Sequence, residues 1–476
     1  MNTPRNVNLI LAMTLSLLAV HSSHAAVEEP YSFESAHGEK VNAFKGSFEV
    51  PENRSNPESR KIPINYVRFP ATGQQKGSPI VYLSGGPGGS GIGTAKRDRF
   101  PLFMAMREFG DVIALDQRGT GKARKQLTCR SSLKTPLNQA IIDTAYYEIQ
   151  RQALTECANI WKKSGVDLSG YTTLESVTDL DDLRKNLGVK KISLWGISYG
   201  SHLALAALKQ MDDRIDRVII ATVEGLDQTI KMPFRTDAYF DRLQNALNRN
   251  KELAKQFPDI KKLISRVLNN LNSQPLKLSL TDNEKEASIL WQRRDMQQIS
   301  AGMISDPGSA LILLKIYAAL DNNNTRPLTD LLQRYGAGNR PISFSAMPVA
   351  MDLASGQSEQ RYAKIMEQAK TSLLSSHLNS SIHLSGVIDG LDLGESFREK
   401  PNSNVPTLVL IGSLDGRIYP DSQREATSGL TQREVITIVN AGHNLFMTSP
   451  EVGETIAQFM RGKPIKKTEI TVDLPW

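Results

Sequence analysis

Two patterns of apolar residues alternate along this chain of 476 residues. Short continuous apolar runs, bounded by glycine, proline or polar residues, predict buried β-strands, and the stretches between them carry apolar residues at helical spacing. The apolar runs are residues 80–83, 112–115, 192–195, 218–222, 406–411 and 434–439. Strands that alternate with helices in this way predict an α/β fold with a mostly parallel sheet and helices on both faces.

Two parts of the chain depart from this alternation. Residues 43–50 and 62–69 are strand-like runs separated by a polar turn, which predicts an antiparallel edge of the sheet. Strand-like runs are scarce in residues 226–404, where apolar side chains recur at helical spacing, as at positions 263, 264, 267, 268 and 271. We therefore expect a helical lid at 226–404, inserted between core segments at 26–225 and 405–476.

The pentapeptide Gly-Ile-Ser-Tyr-Gly at residues 196–200 follows an apolar run directly and precedes a helical stretch at 201–208. A serine on such a strand-to-helix turn has a strained backbone and presents its hydroxyl to a ligand. Glycine is required on both sides because a Cβ there would clash as the helix packs back on the strand. The context predicts that Ser198 is a nucleophile, and a plain turn is the alternative interpretation.

A nucleophilic serine needs a histidine base, and in an α/β-hydrolase that base follows the serine in the sequence. Four histidines follow Ser198. His202 lies on the adjacent helix, where packing is the simpler explanation, and His377 and His383 lie in a polar insert without strand context. His443 follows the strand-like run 434–439, so we predict that it is the base.

The acid that orients the base is expected after a strand that precedes the histidine. Asp415 follows the run 406–411 and is our prediction. Glu224, which follows the run 218–222, is a rival. Asp421 and Glu425 are too far beyond the strand end.

The oxyanion of an acyl-transfer reaction needs two backbone N–H groups. One is expected from Tyr199, directly after the serine. The other is expected from Gly86, in the glycine-rich stretch 85–91 that follows the run 80–83. A phosphate-binding loop is the competing interpretation, but the lysine and Ser/Thr that end a P-loop are missing.

These motifs resemble those of the α/β-hydrolase peptidases of the prolyl aminopeptidase and tripeptidyl aminopeptidase type. The resemblance rests on residues 85–88, 116–121, 171–173, 179–184, 196–201, 412–415 and 442–443. It covers roughly residues 45–225 and 405–450 and leaves 226–404 unaligned. It implies the α/β-hydrolase fold and cleavage near the N-terminus of a peptide through an acyl-enzyme, with no cofactor.

The resemblance also implies that acidic residues hold the free α-amine of a peptide substrate. Glu224 is the first candidate, because it follows a strand whose end lies on the same rim as Ser198. Asp227 and Asp352 are weaker candidates. The competing interpretation is that Glu224 caps the first lid segment. Arg118, in the motif 116–121, is expected to brace loops behind the oxyanion site.

The N-terminus predicts export. Arg5, an apolar stretch at 9–20 and the small-residue site at 23–25 form a signal-peptide pattern over residues 1–25. The apolar stretch is too short to span a bilayer comfortably, so we expect a periplasmic or secreted protein without a membrane anchor. Two cysteines in an exported chain predict a disulfide between Cys129 and Cys157, with two buried thiols as the alternative.

Composition narrows the function further. The formal net charge of +7 comes from scattered basic residues, which gives no patterned basic face for nucleic acid. Neither cysteine has metal-ligand spacing, so no metal site is expected. A carboxylesterase or lipase would use the same triad, and a non-catalytic ligand-binding relative is a further alternative.

Overall fold

The computed structural model describes residues 28–282, 285–335 and 340–476. The signal peptide predicted at residues 1–25 lies outside these ranges. Within them the chain forms fourteen strands, seventeen α-helices and three short 3₁₀ segments.

The strands are β1 (Glu29–Glu34), β2 (Lys40–Pro51), β3 (Lys61–Phe69), β4 (Ile80–Leu83), β5 (Val112–Asp116), β6 (Thr128–Lys134), β7 (Ile192–Ile197), β8 (Ile215–Ala221), β9 (Leu276–Asp282), β10 (Lys285–Trp291), β11 (Pro341–Ser345), β12 (Thr407–Gly412), β13 (Arg433–Val439) and β14 (Glu469–Thr471).

The helices are α1 (Gly91–Lys96), α2 (Phe100–Met106), α3 (Ala123–Gln126), α4 (Asp143–Lys163), α5 (Thr173–Asn186), α6 (Tyr199–Met211), α7 (Pro233–Leu247), α8 (Lys251–Gln256), α9 (Ile260–Ser273), α10 (Arg293–Met303), α11 (Pro307–Asp321), α12 (Arg326–Tyr335), α13 (Ala346–Ser355), α14 (Glu359–Ala369), α15 (Glu395–Arg398), α16 (Pro420–Ala426) and α17 (Pro450–Met460). The 3₁₀ segments are Leu168–Gly170, Asp212–Arg214 and Ser380–Leu384.

Ten strands form one sheet in the order β1-β2-β3-β5-β4-β7-β8-β12-β13-β14. The pairs from β5 to β14 are parallel, and β1, β2 and β3 add an antiparallel edge. This arrangement confirms the predicted α/β fold with a mostly parallel sheet. The carboxyl ends of β7, β12 and β13 lie along one edge of the sheet, because parallel strands point the same way.

Both faces of the sheet are covered, which explains why its central strands are continuous apolar runs. On one face, Val81 and Leu194 pack with Leu154 of α4 and Leu203 of α6. On the other face, Tyr82 and Trp195 pack with Phe103 of α2 and Ile456 of α17. Alternate residues of each strand therefore belong to two separate apolar layers.

The chain between β8 and β12 is referred to here as the insertion segment, residues 226–404. Its helices α7 to α12 form most of a separate apolar cluster, whereas α13 packs in the cluster on one face of the sheet. The helical spacing at 263–271 corresponds to the buried face of α9. The segment also contains strands that the sequence did not predict, the hairpin of β9 and β10 and the strand β11. β11 pairs with β6, which lies more than 200 residues earlier, so no local pattern could indicate the pairing.

Cys129 on β6 and Cys157 on α4 form a disulfide, with their Cα atoms 5.6 Å apart. Neither cysteine is free. The bond attaches the long helix α4 to a strand that also pairs with the insertion segment.

Candidate active site

Ser198 occupies a sharp turn between β7 and α6, with φ 56° and ψ −128°. A non-glycine residue rarely adopts a positive φ, and such strain is concentrated at functional sites. The flanking glycines permit the turn. A Cβ on Gly200 would lie 2.0 Å from the carbonyl oxygen of Leu83, and one on Gly196 would lie 2.5 Å from the carbonyl oxygen of Gly200.

His443 and Asp415 form a hydrogen-bonded pair at the same sheet edge, after β13 and β12. His443 Nδ1 lies 3.0 Å from Asp415 Oδ2. The other carboxylate oxygen of Asp415 accepts the backbone N–H groups of Arg417 at 2.7 Å and Ile418 at 2.9 Å. Both oxygens are occupied and the side chain is fully buried, so the carboxylate is fixed in orientation.

The pair leaves one imidazole nitrogen for other chemistry. In the described ranges, neither His443 Nε2 nor the Ser198 hydroxyl has a hydrogen-bond partner, and the His443 side chain is 23% exposed. Hydrogen bonds between a nucleophile and its base often tighten only in the substrate complex.

The insertion segment contacts the histidine loop through its backbone. The His443 N–H donates to the carbonyl oxygen of Ser305 at 2.8 Å. A Cβ on Gly442 would lie 2.5 Å from the same oxygen, so only glycine allows this approach. Sequence reasoning missed Ser305, because a backbone carbonyl leaves no signature in the side-chain pattern.

The glycine-rich loop after β4 packs against the serine turn. A Cβ on Gly85 would lie 3.1 Å from Ser198 Cβ. Gly86 and Gly88 have φ values of 130° and 92°, which other residues rarely adopt. Pro348 of α13 closes over the loop, 2.7 Å from where a Cβ on Gly88 would lie. Tyr199 is the first residue of α6, and a helix leaves its first N–H groups without intrahelical acceptors.

Glu224 is buried beside the serine turn and already has a cationic partner. Its carboxylate pairs with the ammonium group of Lys231, which also donates to the carbonyl oxygen of Gln228 at 2.9 Å. The backbone N–H of Glu224 donates to the hydroxyl of Ser201 at 3.0 Å. Sequence reasoning did not identify Lys231, because it lies in a loop without periodic pattern.

Asp352 adds a second carboxyl group to this region. It lies on α13, one turn beyond the Pro348 that covers the glycine-rich loop. Burial and the neighbouring Glu224 carboxylate raise the pKa of Asp352 to about 7, and Lys231 and Arg417 offset this only in part. Asp227, the other weaker candidate, lies instead 3.9 Å from Arg361, and burial raises its pKa.

The remaining histidines after Ser198 lie in other surroundings. His202 is fully buried, with Nδ1 3.2 Å from the carbonyl oxygen of Gly225 and Nε2 3.3 Å from Ser355 Oγ. Burial lowers its pKa. His377 Nδ1 lies 2.7 Å from the Tyr147 hydroxyl, and the ring of His383 stacks on that of Tyr147.

Arg118, in the loop after β5, is fully buried. Its guanidinium donates to both carboxylate oxygens of Asp179, at 2.7 and 2.6 Å, and to the carbonyl oxygen of Glu52 at 2.7 Å. These contacts connect the loop after β5 with α5 and with the end of β2.

The described ranges contain neither a cluster of metal-binding side chains nor a membrane-spanning helix. No group of three or more His, Cys, Asp or Glu side chains in those ranges is arranged to hold a metal ion. No helix among the same residues combines the length and the apolar character needed to cross a membrane.

Most of this chain matches a protein family, and a shorter part of it matches individual proteins. A family described as alpha/beta hydrolase fold matches residues 78–450. The serine protease Hip1 of Mycobacterium tuberculosis is 28% identical over 187 residues, 37% of this chain and 35% of that protein. The tripeptidyl aminopeptidase of Streptomyces lividans is 27% identical over 187 residues, 37% of this chain and 35% of that enzyme.

A third relative is the probable proline iminopeptidase of Streptomyces coelicolor, which is 27% identical over 141 residues, 30% of this chain and 31% of that protein. The chain thus spans about a third of the length of the curated relatives that it matches.

Proposed function

Because this chain belongs to the α/β-hydrolase family, we propose that it is an exported serine aminopeptidase. It would release N-terminal residues or short peptides from substrates with a free N-terminus. The observation that carries the proposal is the hydrogen-bonded His443–Asp415 pair at the sheet edge that also presents the strained Ser198.

In the proposed reaction, the Ser198 hydroxyl attacks the scissile carbonyl carbon while His443 Nε2 accepts its proton. Asp415 holds the imidazole with Nδ1–H directed at its carboxylate and stabilises the imidazolium that forms. His443 then returns the proton to the leaving amine, and water hydrolyses the acyl-enzyme by the same steps in reverse. The backbone N–H groups of Gly86 and Tyr199 stabilise the oxyanion.

A preference for free N-termini is supported by the charges beside Ser198. Glu224 and Asp352 bring two carboxyl groups to this region, and Lys231 neutralises one of them. A substrate ammonium beside Glu224 would bring a second positive charge, and it would favour the ionised form of Asp352, whose pKa is otherwise raised to about 7. The names of two relatives, tripeptidyl aminopeptidase and proline iminopeptidase, agree with this assignment.

Export is supported by the Cys129–Cys157 disulfide, because such bonds persist in oxidising compartments. Fractionation of the producing cells and N-terminal sequencing of the mature protein test this proposal. A mature chain beginning at Ala26 is expected, and a reduced, uncleaved chain in the cytoplasm would refute it.

Substrate panels test the activity. Peptide anilides of one to three residues, each with a free and an N-acetylated terminus, are compared with short neutral esters. Hydrolysis of the free-amine peptides alone supports the aminopeptidase. Equal rates on acetylated peptides exclude it, and turnover of esters alone indicates a carboxylesterase or lipase. Failure of a fluorophosphonate to label Ser198 would indicate a non-catalytic binding protein.

Glu224→Gln tests the amine site separately. We expect KM for free-amine peptides to rise by one to two orders of magnitude, about the loss of one charge-assisted hydrogen bond, while ester hydrolysis is unchanged. Glu425→Gln is the matched control, because Glu425 also pairs with a basic side chain, Arg235, but is half exposed. Equal losses on peptides and esters would assign Glu224 to the triad or to the fold.

A further inference from the structure

Two buried hydroxyl groups hold the backbone of Ser198. The Ser198 N–H lies 3.2 Å from Thr222 Oγ1 and 3.1 Å from the carbonyl oxygen of Ala221. The Ser198 carbonyl oxygen accepts the hydroxyl of Ser201 at 2.5 Å. Ser201 and Thr222 are both fully buried, so each hydroxyl is unavailable to a substrate.

Thr222 reaches this position through a rare backbone conformation. Its φ is 47°, and a β-branched residue at positive φ is a true outlier that persists only where its surroundings hold it. Its own N–H donates to the carbonyl oxygen of Leu410 at 3.1 Å, and its hydroxyl donates to that of Ala221 at 2.8 Å. The hydroxyl group therefore donates its hydrogen to the Ala221 carbonyl oxygen and accepts the N–H of Ser198.

Ser201 connects the serine turn with the candidate amine site. Its hydroxyl donates to the Ser198 carbonyl oxygen and accepts the backbone N–H of Glu224 at 3.0 Å. One side chain therefore fixes the spacing between the residue that would attack the carbonyl and the residue that would bind the amine.

We propose that Thr222 and Ser201 are positioning residues, together called the hydroxyl clamp, which hold Ser198 in its strained conformation and in register with Glu224. They touch no substrate and act through the backbone of Ser198. The inference rests on the proposed role of Ser198 as nucleophile. Without the clamp the turn relaxes towards ordinary dihedral angles and the Ser198 hydroxyl moves away from its attacking position.

Two variants of Thr222 separate the hydroxyl from the branched shape. Thr222→Val keeps the shape and removes the lone pair, whereas Thr222→Ser keeps the hydroxyl. Displacements on the order of 1 Å cost about 100-fold in rate, so we expect Thr222→Val to lower the second-order rate of fluorophosphonate labelling by about 10- to 100-fold. Thr222→Ser should stay close to the wild type.

Matched controls account for the loss of a buried hydroxyl as such. Thr407→Val removes a fully buried threonine hydroxyl at the start of β12, the end of the strand away from Asp415. Ser300→Ala removes a fully buried serine hydroxyl in the insertion segment. Both should change the melting temperature and leave the labelling rate unchanged. Ser201→Ala, compared with Ser300→Ala, should lower the labelling rate and also kcat for esters.

The clamp is refuted if Thr222→Val and Ser201→Ala melt earlier, as the controls do, but label at the wild-type rate. It is also refuted if Thr222→Ser and Thr222→Val lower the labelling rate by the same factor. Amide hydrogen exchange of peptide 196–202 gives a readout that needs no activity. Exchange should accelerate in Thr222→Val but not in Thr222→Ser. Failure of the wild-type protein to react with the fluorophosphonate would refute the proposed function and not the clamp.

Discussion

Two aspartate–histidine pairs in the described ranges, Asp415–His443 and Asp143–His377, have reversed exposures. In the Asp415–His443 pair the aspartate is fully buried and the histidine is 23% exposed. In the Asp143–His377 pair the histidine is 3% exposed and the aspartate is 56% exposed. The ring-to-carboxylate distances are 3.0 Å and 3.6 Å.

The two pairs also differ in how the imidazole nitrogens are used. His377 places one nitrogen 2.7 Å from the Tyr147 hydroxyl and directs the other at Asp143, so both are engaged. The neighbouring His377 ring, together with the charge of Arg294, lowers the pKa of Asp143. His443 has one nitrogen that makes no hydrogen bond in the described ranges, which is available for the proposed proton transfer. A base needs this free nitrogen and an immobile acid, whereas a structural histidine needs two partners.

The first experiment that can break this comparison replaces each histidine. His443→Ala is expected to lower kcat by about four orders of magnitude or more, as Ser198→Ala should, because triad members act as a unit. The free energy of unfolding of Ser198→Ala should hardly change, because the glycines form the turn, whereas His443→Ala also leaves the buried Asp415 carboxylate without its imidazole partner. Peptide and ester turnover and urea unfolding measure both effects. A comparable loss of kcat in His377→Ala would contradict the distinction between the pairs.

Replacing the aspartates sharpens the assignment of the acid. Asp415→Asn is expected to lower kcat by about 10³- to 10⁴-fold, because the amide favours the wrong imidazole tautomer. Asp143→Asn is the control and should leave kcat unchanged. If Asp415→Asn is as active as the wild type while Glu224→Gln is inactive, Glu224 is the acid.

The disulfide belongs to the second region, because Cys157 lies on the helix that carries Asp143 and Tyr147. The double variant Cys129→Ala/Cys157→Ala is expected to lose roughly 3–4 kcal/mol of unfolding free energy in the chain-entropy model. Its kcat per folded molecule should be retained. Denaturant unfolding under oxidising conditions measures the loss. A variant as stable as the wild type would show that the packing alone holds α4 in place.

His377→Ala is expected to lower the unfolding free energy by about 1–3 kcal/mol, because it leaves the Tyr147 hydroxyl without its partner. Tyr147→Phe removes the other side of the same hydrogen bond. A double-mutant cycle of the two should return a coupling of about 0.5–1.5 kcal/mol. Strictly additive losses would mean that the hydrogen bond contributes nothing.

A pH-dependent effect is expected from Asp352, the carboxyl group beside Glu224. A carboxyl whose pKa is raised to about 7 keeps its proton in the folded state at pH values where the unfolded chain has lost it. The wild type therefore loses stability between about pH 4 and pH 7. Asp352→Asn lacks this loss and should be more stable than the wild type at pH 8.

The two proteins should be equally stable below about pH 4, where Asp352 is protonated in both states. Urea unfolding across this range measures the difference. A constant difference at all pH values would assign the effect to packing and not to the charge.

The sequence by itself determined the central sheet and the positions of the candidate triad. The strands β4, β5, β7, β8, β12 and β13 are recognisable because both of their faces are buried, which requires continuous apolar runs. Ser198, Asp415 and His443 each follow such a run, and parallel strands bring their carboxyl ends to one edge. The topology thus predicts that the three lie close together, and the hydrogen bond between Asp415 and His443 agrees with this for two of them.

Only the tertiary structure decided the contacts between segments that are distant in the chain. β6 pairs with β11 across the insertion segment, and Lys231 neutralises Glu224 from a loop without pattern. The hydroxyl of Thr222 and the carbonyl oxygen of Ser305 reach the site through backbone geometry, which cannot be predicted from residue type. The periodicity of apolar residues indicates which face of an element is buried. The side chains and strands that this face contacts depend on how distant segments pack in the folded protein.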